Sequence, residues 1–176
     1  MNTSATGGYL RPEGGVVSNK DLEDIFHTLI LGLTGIDELM IRPRFQISPP
    51  SIPAIGVDWI AFEIQSLTQD AGPYLEQNAE NAKSIRHQDI ELFLSFYGSH
   101  GQDLAQLFID GAAIPQNISE LDQYAIQFID SSDIITAADL INTQYVRRFD
   151  VTARFRRKTA RLYPIKTFKD FKINMN

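Results

Sequence analysis

The chain has 176 residues, a length that fits one domain, and its 43% hydrophobic and 22% charged residues are ordinary for a globular protein. It contains no cysteine, which excludes a disulfide framework, a thiolate metal site and a thiol nucleophile. Its N-terminal residues lack the basic and apolar segments of a signal peptide, and no apolar run approaches the ~20 residues needed to span a bilayer. We therefore expect a soluble protein of a reducing compartment such as the cytoplasm.

Charge is distributed unevenly along the chain. Residues 1–143 contain six basic and 20 acidic residues, a net charge of −14, whereas residues 144–176 contain ten basic and two acidic residues, a net charge of +8. Such an asymmetry has two interpretations. The basic segment either pairs with acidic surface of its own fold, or meets an acidic partner, which is another protein subunit or a nucleic acid.

Residues 1–17 are expected to form a flexible N-terminal arm, because glycine and proline recur there and no apolar period is present. Tyr9 and Leu10 are isolated apolar residues within this arm. They either anchor the arm on a neighbouring surface or are solvated. The rest of the chain, 18–176, is expected to form a single domain.

The first regular element is an amphipathic helix over 18–34. Its apolar residues recur at steps of three and four, the spacing of one helix face. These residues are Leu22, Ile25, Phe26, Leu29, Ile30 and Leu33.

Strands are predicted next. The segment 40–47 is interrupted by Pro43, which confines it to a sheet edge. The segment 55–65 is apolar on both faces and predicts a central strand. Residues 66–82 are polar and predict a loop or an exposed hairpin tip, and 83–97 predicts a long strand. One face of that strand is lined by Ile90, Leu92, Leu94 and Phe96.

The second half begins with a predicted helix over 103–111, followed by a short helix over 120–124 and a short strand over 125–130. Residues 133–141 are expected to be a connection. The last element is a long strand over 144–163. Its alternation places Tyr145, Phe149, Val151, Ala153 and Phe155 on an apolar face and Arg148, Asp150, Thr152, Arg154, Arg156 and Lys158 on the opposite face.

This order of elements predicts the α+β class. We expect a single domain with a mixed or mostly antiparallel β-sheet and two main helices packed on one face. The basic face of the last strand, Arg148, Arg154, Arg156 and Lys158, is the predicted interface with a partner or subunit, together with Tyr9 and Leu10 of the arm.

Two alternative functions are also considered, and the first rests on other residues. His87 and Asp89 lie two apart on one predicted strand and share a face, as two metal ligands or a base and its orienting carboxylate would. A small hydrolase or metal protein is therefore one alternative, although no third ligand is apparent. The chain has neither a phosphate-binding glycine loop nor a Gly-x-Ser-x-Gly motif.

The other alternative is a nucleic-acid-binding module that uses the basic strand to neutralise phosphates. A single-strand binder places stacking rings beside its cations. Here Tyr145, Phe149 and Phe155 are predicted on the face opposite most of the arginines, which favours a half-buried strand instead.

Several segments, in order along nearly the whole chain, carry a resemblance to a known family. They are Thr3-Ser4-Ala5-Thr6-Gly7-Gly8-Tyr9-Leu10, Ile41-Arg42-Pro43-Arg44 with the following Pro-Pro, Gly56-Val57-Asp58-Trp59-Ile60-Ala61-Phe62, Phe96-Tyr97-Gly98, Asp110-Gly111 with Ile114-Pro115-Gln116-Asn117, and Arg156-Arg157 to Tyr163-Pro164. The chain resembles the neck or tail terminator proteins of tailed bacteriophages and prophages. These motifs are structural and not catalytic.

The resemblance implies a structural virion-assembly protein. It would form a ring, expected to be a hexamer, that caps the tail tube and joins it to the head or neck. Its partners would be copies of itself and the tail tube, sheath and neck or connector proteins, with assembly in the bacterial cytoplasm and a final place in the virion. No cofactor, metal or catalytic residue is implied, and neither direct nucleic acid binding nor a membrane is expected.

Overall fold

The structure is a computed structural model that describes residues 8–13, 19–78, 80–141 and 143–165. The helices in these residues are α1 (Asn19–Thr34), α2 (Gly101–Ala112) and α3 (Pro115–Ile118), with 3-10 turns at Glu38–Met40 and Ser119–Tyr124. The strands are β1 (Ile41–Pro43), β2 (Trp59–Gln69), β3 (Tyr74–Gln77), β4 (Asn81–Tyr97), β5 (Ile126–Ser131), β6 (Ile135–Ile141) and β7 (Gln144–Pro164). None of the helices in this part of the chain combines the length and the apolar character that crossing a bilayer requires.

The strands form one mixed sheet in the order β1-β2-β4-β7-β5. β1 runs parallel to β2, with Ile41 opposite Ile60. The pairs β3–β4, β5–β7 and β6–β7 are antiparallel. The predicted fold class is confirmed, and Pro43 ends an edge strand while β2 is central, as its two apolar faces indicated.

Contacts divide the chain into two units. The larger unit contains residues 18–68 and 89–157 and therefore includes α1, α2, β1, β5, β6 and the greater part of β2, β4 and β7. The smaller unit contains residues 1–17, 69–88 and 158–176. In it, β3 pairs with the first residues of β4, and the backbone N–H of Glu13 donates to the carbonyl of Leu162 at 2.7 Å. The rest of the predicted arm, apart from residues 8–13, lies outside the described residues.

The core of the larger unit forms where α1 and α2 cover one face of the sheet. Phe26 of α1 contacts Phe155 of β7 with ring centroids 4.9 Å apart, and Phe96 of β4 faces Phe108 of α2 at 6.2 Å. All four rings are completely buried. The apolar face predicted for the last strand is confirmed from Phe149 to Phe155, and the predicted face of β4 is buried as well.

Two glycines allow α2 to approach its neighbours closely. A Cβ atom at Gly101 would lie 3.1 Å from both a ring carbon of Phe149 and the carbonyl oxygen of Phe96. A Cβ atom at Gly111 would lie 3.0 Å from the side chain of Leu33 on α1. Larger residues would therefore push α2 away from the sheet and from α1.

Two expectations were wrong. Residues 133–141 were expected to be a connection, but β6 occupies Ile135–Ile141 and pairs with β7 from Gln144 to Asp150. Its sequence lacks strict alternation, and its backbone is held instead by the free edge of β7. Tyr145 was expected on the covered face but is 82% exposed, because it lies opposite Leu140 near the turn of this hairpin, where both side chains remain in solvent. Residues 66–82, left open between a loop and a hairpin tip, contain the end of β2 and the exposed strand β3.

Candidate interaction surface

The predicted basic face lies on β7, and its arginines are paired with carboxylates of neighbouring strands. Arg154 donates from Nε to Asp130 of β5 at 2.6 Å and makes a second contact through Nη2, because the strand register places the two residues side by side. Arg156 forms an ion pair with Asp89 of β4 at 3.5 Å. The hydrogen bond from Arg154 lowers the pKa of Asp130 below its usual value.

Arg148 belongs to a more buried network. It donates from Nε to Asp150 at 3.1 Å and from Nη1 to Asp139 of β6 at 3.2 Å. Asp150 is only 7% exposed, and it also accepts a hydrogen bond of 2.5 Å from Ser95 of β4. Buried charges require such partners, since an unpaired carboxylate in this position would be strongly destabilising.

The basic face is therefore largely neutralised within the fold. Arg148, Arg154 and Arg156 all have aspartate partners, whereas Lys158 is exposed at the surface. These pairs support the first interpretation of the charge asymmetry, in which basic residues meet acidic surface of the same chain. The role of this face in an interface stays a prediction.

The network continues towards the edge of the sheet on the face opposite the helices. Arg44 donates to Ser95 Oγ at 2.7 Å, and its guanidinium lies 5.1 Å from the centre of the Phe93 ring. It also lies 3.7 Å from Glu63. Arg44, Ser95 and Asp150 thus form a continuous polar chain across β4.

Aromatic stacking completes this face. The rings of Trp59 and Tyr97 are 4.1 Å apart and nearly parallel, at 7°. The guanidinium of Arg42 lies 5.7 Å from the Trp59 ring, and the Tyr97 hydroxyl is 3.1 Å from Asp139. Burial, together with the hydrogen bond to Asp139, raises the pKa of Tyr97 above its usual value. Stacking and cation–π contacts of this kind hold the rings in place.

An exposed apolar segment adjoins this stack. The side chain of Phe45 is 91% exposed. Its backbone adopts a φ of +58°, a conformation that costs a bulky residue free energy. Ile47 is also fully exposed. Below them is a cavity of about 350 Å³ whose lining includes Pro49 and Trp59. We call Phe45 and Ile47 the apolar ridge.

The two predicted arm residues differ in exposure. Tyr9 is 95% exposed, and Leu10 is half-buried. Tyr9 is therefore available to contact another molecule, while its role in an interface stays a prediction.

The predicted pair of His87 and Asp89 does not converge on a shared site. His87 contacts Asp70 at 3.3 Å, and Asp89 is the partner of Arg156. Within the described residues, no group of three or more His, Asp or Glu side chains is placed to hold a metal ion.

His100 has a partner that sequence reasoning did not identify. Its ring Nδ1 lies 2.8 Å from Asp58 Oδ2, and its backbone N–H donates to Asp58 Oδ1 at 2.8 Å. The hydrogen bond with Asp58 raises the pKa of His100 above 6.5. Burial raises the pKa of Asp58, but the hydrogen bonds from His100 outweigh burial and leave it below 3.8. Gly98, with φ +99°, makes this approach possible, since a Cβ atom there would lie 2.5 Å from the Cα of Asp58.

A groove lies beside helix α1 of the larger unit, between α1 and the segment 116–124. Its volume is about 460 Å³. Its lining includes the buried apolar residues Ile25, Leu29 and Leu121, which we call its floor, and the exposed residues Asp24 and Glu120. We call it the α1 groove.

The arginines of β7 were thus predicted from the sequence, but most of their surroundings were not. Their pairing with Asp89, Asp130 and Asp139 and the stack of Trp59 on Tyr97 appear only in the structure. Two features of the sequence could have indicated these contacts. The segments before β7 are acidic, and Pro43, which is flanked by Arg42 and Arg44, places these two arginines near a sheet edge.

Comparisons with known proteins identify the family. A search of curated proteins found no match. The family model described as phage neck terminator protein matches residues 20–176, which is nearly the whole chain and both of its units. This confirms the resemblance that the sequence motifs indicated. The chain therefore belongs to the phage neck terminator protein family, a family of structural proteins of the bacteriophage neck.

Proposed function

We propose that this protein assembles into a ring, a hexamer, that caps the phage tail tube and joins the tail to the neck and head. The observation that carries the proposal is the match of the neck terminator family over residues 20–176. Its partners in the virion would be other copies of itself and the tail tube, sheath and connector proteins. Assembly would take place in the bacterial cytoplasm.

The apolar ridge supports an assembly role. A bulky residue such as Phe45 is rarely held at a positive φ, and a fully exposed aromatic ring gains little stability from its own fold. A partner that covers Phe45 and Ile47 would remove this apolar surface from water. Aromatic residues are enriched at the centres of protein interfaces for this reason.

The protein would act without catalysis. His87 and Asp89 have separate partners, Asp70 and Arg156, so the alternative of a hydrolase or metal protein has no convergent site behind it. His100 and Asp58 form a pair at the surface, but the hydroxyl of the neighbouring Ser99 donates to the carbonyl of Gly56 at 3.2 Å and not to the His100 ring, so the pair does not activate it as a nucleophile.

Nucleic acid binding is also disfavoured. Phosphate neutralisation needs cations that are available to the nucleic acid. Arg148, Arg154 and Arg156 already contact aspartates within the fold, and the aromatic rings on β7 from Phe149 to Phe155 are buried under α1 and α2.

The function can be tested in phage particles that lack the protein. We expect tails and heads to accumulate unjoined and the purified protein to restore joining, as counted by electron microscopy. Heads and tails that join normally without the protein would contradict the proposal.

The apolar ridge gives a sharper version of this test. Phe45→Gly removes the ring and relieves the positive φ, so the isolated protein should be as stable as the wild type or more so. Joining should nevertheless fall. Leu107→Ser, at an exposed apolar residue of α2, is the matched control and should join normally.

A further inference from the structure

The α1 groove has the surface of a binding site for a basic, apolar peptide. Its floor is apolar, and the charged side chains that line it within the described part of the chain are the acidic Asp24 and Glu120. Neither carboxylate makes an ion pair or a hydrogen bond with a side chain that the structure describes, unlike the aspartates opposite β7. The groove therefore offers both apolar area and uncompensated negative charge.

Gly32 keeps the groove open. It lies within α1, where glycine is less favourable than alanine because its backbone loses more conformational freedom on folding. A Cβ atom at this position would meet nothing within 4 Å. Packing inside the monomer thus does not require glycine here, and alanine would also fit, whereas a large side chain would fill part of the groove.

The segment that follows β7 has the complementary chemistry. Residues 166–176 contain three lysines and one aspartate, a net charge of +2, in an otherwise acidic chain. Three lysines recur every three residues in this segment, at Lys166, Lys169 and Lys172. In the sequence, Phe168 precedes Lys169, and Phe171 and Ile173 flank Lys172. Eleven residues reach up to ~36–40 Å when extended, whereas the nine-residue step from Asp24 to Leu33 on α1 covers only ~14 Å.

We propose that residues 166–176 of one copy bind in the α1 groove of a second copy, with the phenylalanines on the apolar floor and the lysines beside Asp24 and Glu120. This deepens the proposed function, on whose self-assembly it rests, because it specifies a contact that links neighbouring subunits. Complementary charge sets the partner and the register of such a contact, and the apolar side chains supply the buried area.

A photo-crosslinking experiment on the full chain tests the contact directly. Phe171 is replaced by p-benzoylphenylalanine, and ¹⁵N-labelled and unlabelled copies are mixed before irradiation. We expect crosslinked peptides of mixed label that join residue 171 to the groove around Leu33 and Tyr124. The same crosslinker at the exposed position of Tyr145 is the control and should not reach the groove.

Two sets of variants sharpen the test. Gly32→Trp should lower the groove crosslink by about tenfold, the effect of about 1.4 kcal/mol, whereas Gly32→Ala should leave it unchanged. Lys169→Glu with Lys172→Glu should also lower it by about tenfold, and adding Asp24→Lys with Glu120→Lys should restore it. A merely structural effect of the tail substitutions would not be reversed by charges in the groove.

The outcomes separate this inference from the ring proposal. An oligomer seen by light scattering whose crosslinks from residue 171 lie elsewhere, or only within one copy, overturns the tail-in-groove contact and leaves the ring intact. A chain that stays monomeric and gives no intermolecular crosslink contradicts both. Mixed-label crosslinks to the groove, restored by the charge exchange, support the inference.

Discussion

The two faces of the sheet in the larger unit are built on different principles. The face under α1 and α2 is apolar and closely packed, with Phe26, Phe96 and Phe155 completely buried. The opposite face is stabilised by a chain of arginines, carboxylates and stacked rings that includes Arg44, Asp150 and Tyr97. Burial of apolar side chains stabilises the first face, whereas ion pairs, hydrogen bonds and ring stacking hold the charged and aromatic groups of the second face near the surface.

The difference shows what strand alternation can establish. Every second residue of β4 and β7 shares a face, so an apolar repeat identifies the covered side. A polar repeat says only that its side chains lie opposite the core. Arg148 and Arg154 share that side, yet the first belongs to a half-buried network and the second to an exposed pair.

The largest effect is expected on the helix-covered face. Phe155→Ala should lower the free energy of unfolding by about 3–5 kcal/mol, because Phe155 is completely buried between Phe26 and Phe128. Tyr145→Ala is the matched control, an exposed aromatic residue on the same side of β7, and should change stability little. Equal losses in a urea denaturation series would contradict this account of the two ends of β7.

A smaller effect is expected on the polar face. Asp150→Ala should cost about 2–3 kcal/mol, because it removes a partner of both Ser95 and Arg148 from a site that is nearly sealed from water. The comparison is Asp130→Ala, which removes an exposed partner of Arg154 and should cost less. Chemical denaturation of the two variants measures the difference, and a smaller loss for Asp150→Ala would show that the network does not stabilise this face.

Reversal of the basic strand should affect assembly more than stability. Arg154→Glu with Arg156→Glu replaces two exposed ion pairs by repulsion from Asp130 and Asp89, so the melting temperature should fall only slightly while assembly is blocked. Normal assembly of the double variant at physiological salt would identify this face as ordinary solvated surface. Steep salt-dependent DNA binding by the wild type, lost in the variant, would instead favour the nucleic-acid alternative.

The smallest effect concerns pH and the pair of His100 with Asp58. NMR titration should give His100 a pKa above 6.5, with Asp103 contributing, and Asp58→Asn should lower it. Since the pKa of His100 is raised, its contribution to stability is present below pH 6.5 and is lost as pH rises through the folded value. The contribution of Asp58, whose pKa is lowered, is present above pH 3.8 and is lost as pH falls through its folded value. An unchanged His100 titration in Asp58→Asn would show that the contact is absent in solution.

Much of the fold could be predicted from the sequence because its signals are local. The apolar repeat of α1, the interruption at Pro43 and the alternation from Phe149 to Phe155 each identify an element or a face without knowledge of the rest. β6 was missed because its pairing depends on the free edge of β7, a partner that its own sequence does not reveal. Tyr145 was misplaced because alternation assigns a side but does not show how far a helix covers it.

The candidate surfaces were less predictable, because they depend on residues distant in sequence. Asp130 and Asp139 meet the arginines of β7 through strand register, and Trp59 meets Tyr97 across β2 and β4. The α1 groove forms between the first helix and a segment about 90 residues later. No local sequence pattern predicts contacts between residues that are this distant in sequence, although the charge asymmetry indicated that basic and acidic surfaces could face each other.

The proposed ring is tested most directly by light scattering on the purified chain over a range of concentrations. One copy has a mass of 19.8 kDa, so a hexameric ring predicts a species of about 119 kDa. A stable particle of that mass, lost in the double variant Arg154→Glu with Arg156→Glu, is the expected result. A mass of 19.8 kDa at every concentration would contradict the claim that this protein assembles with copies of itself.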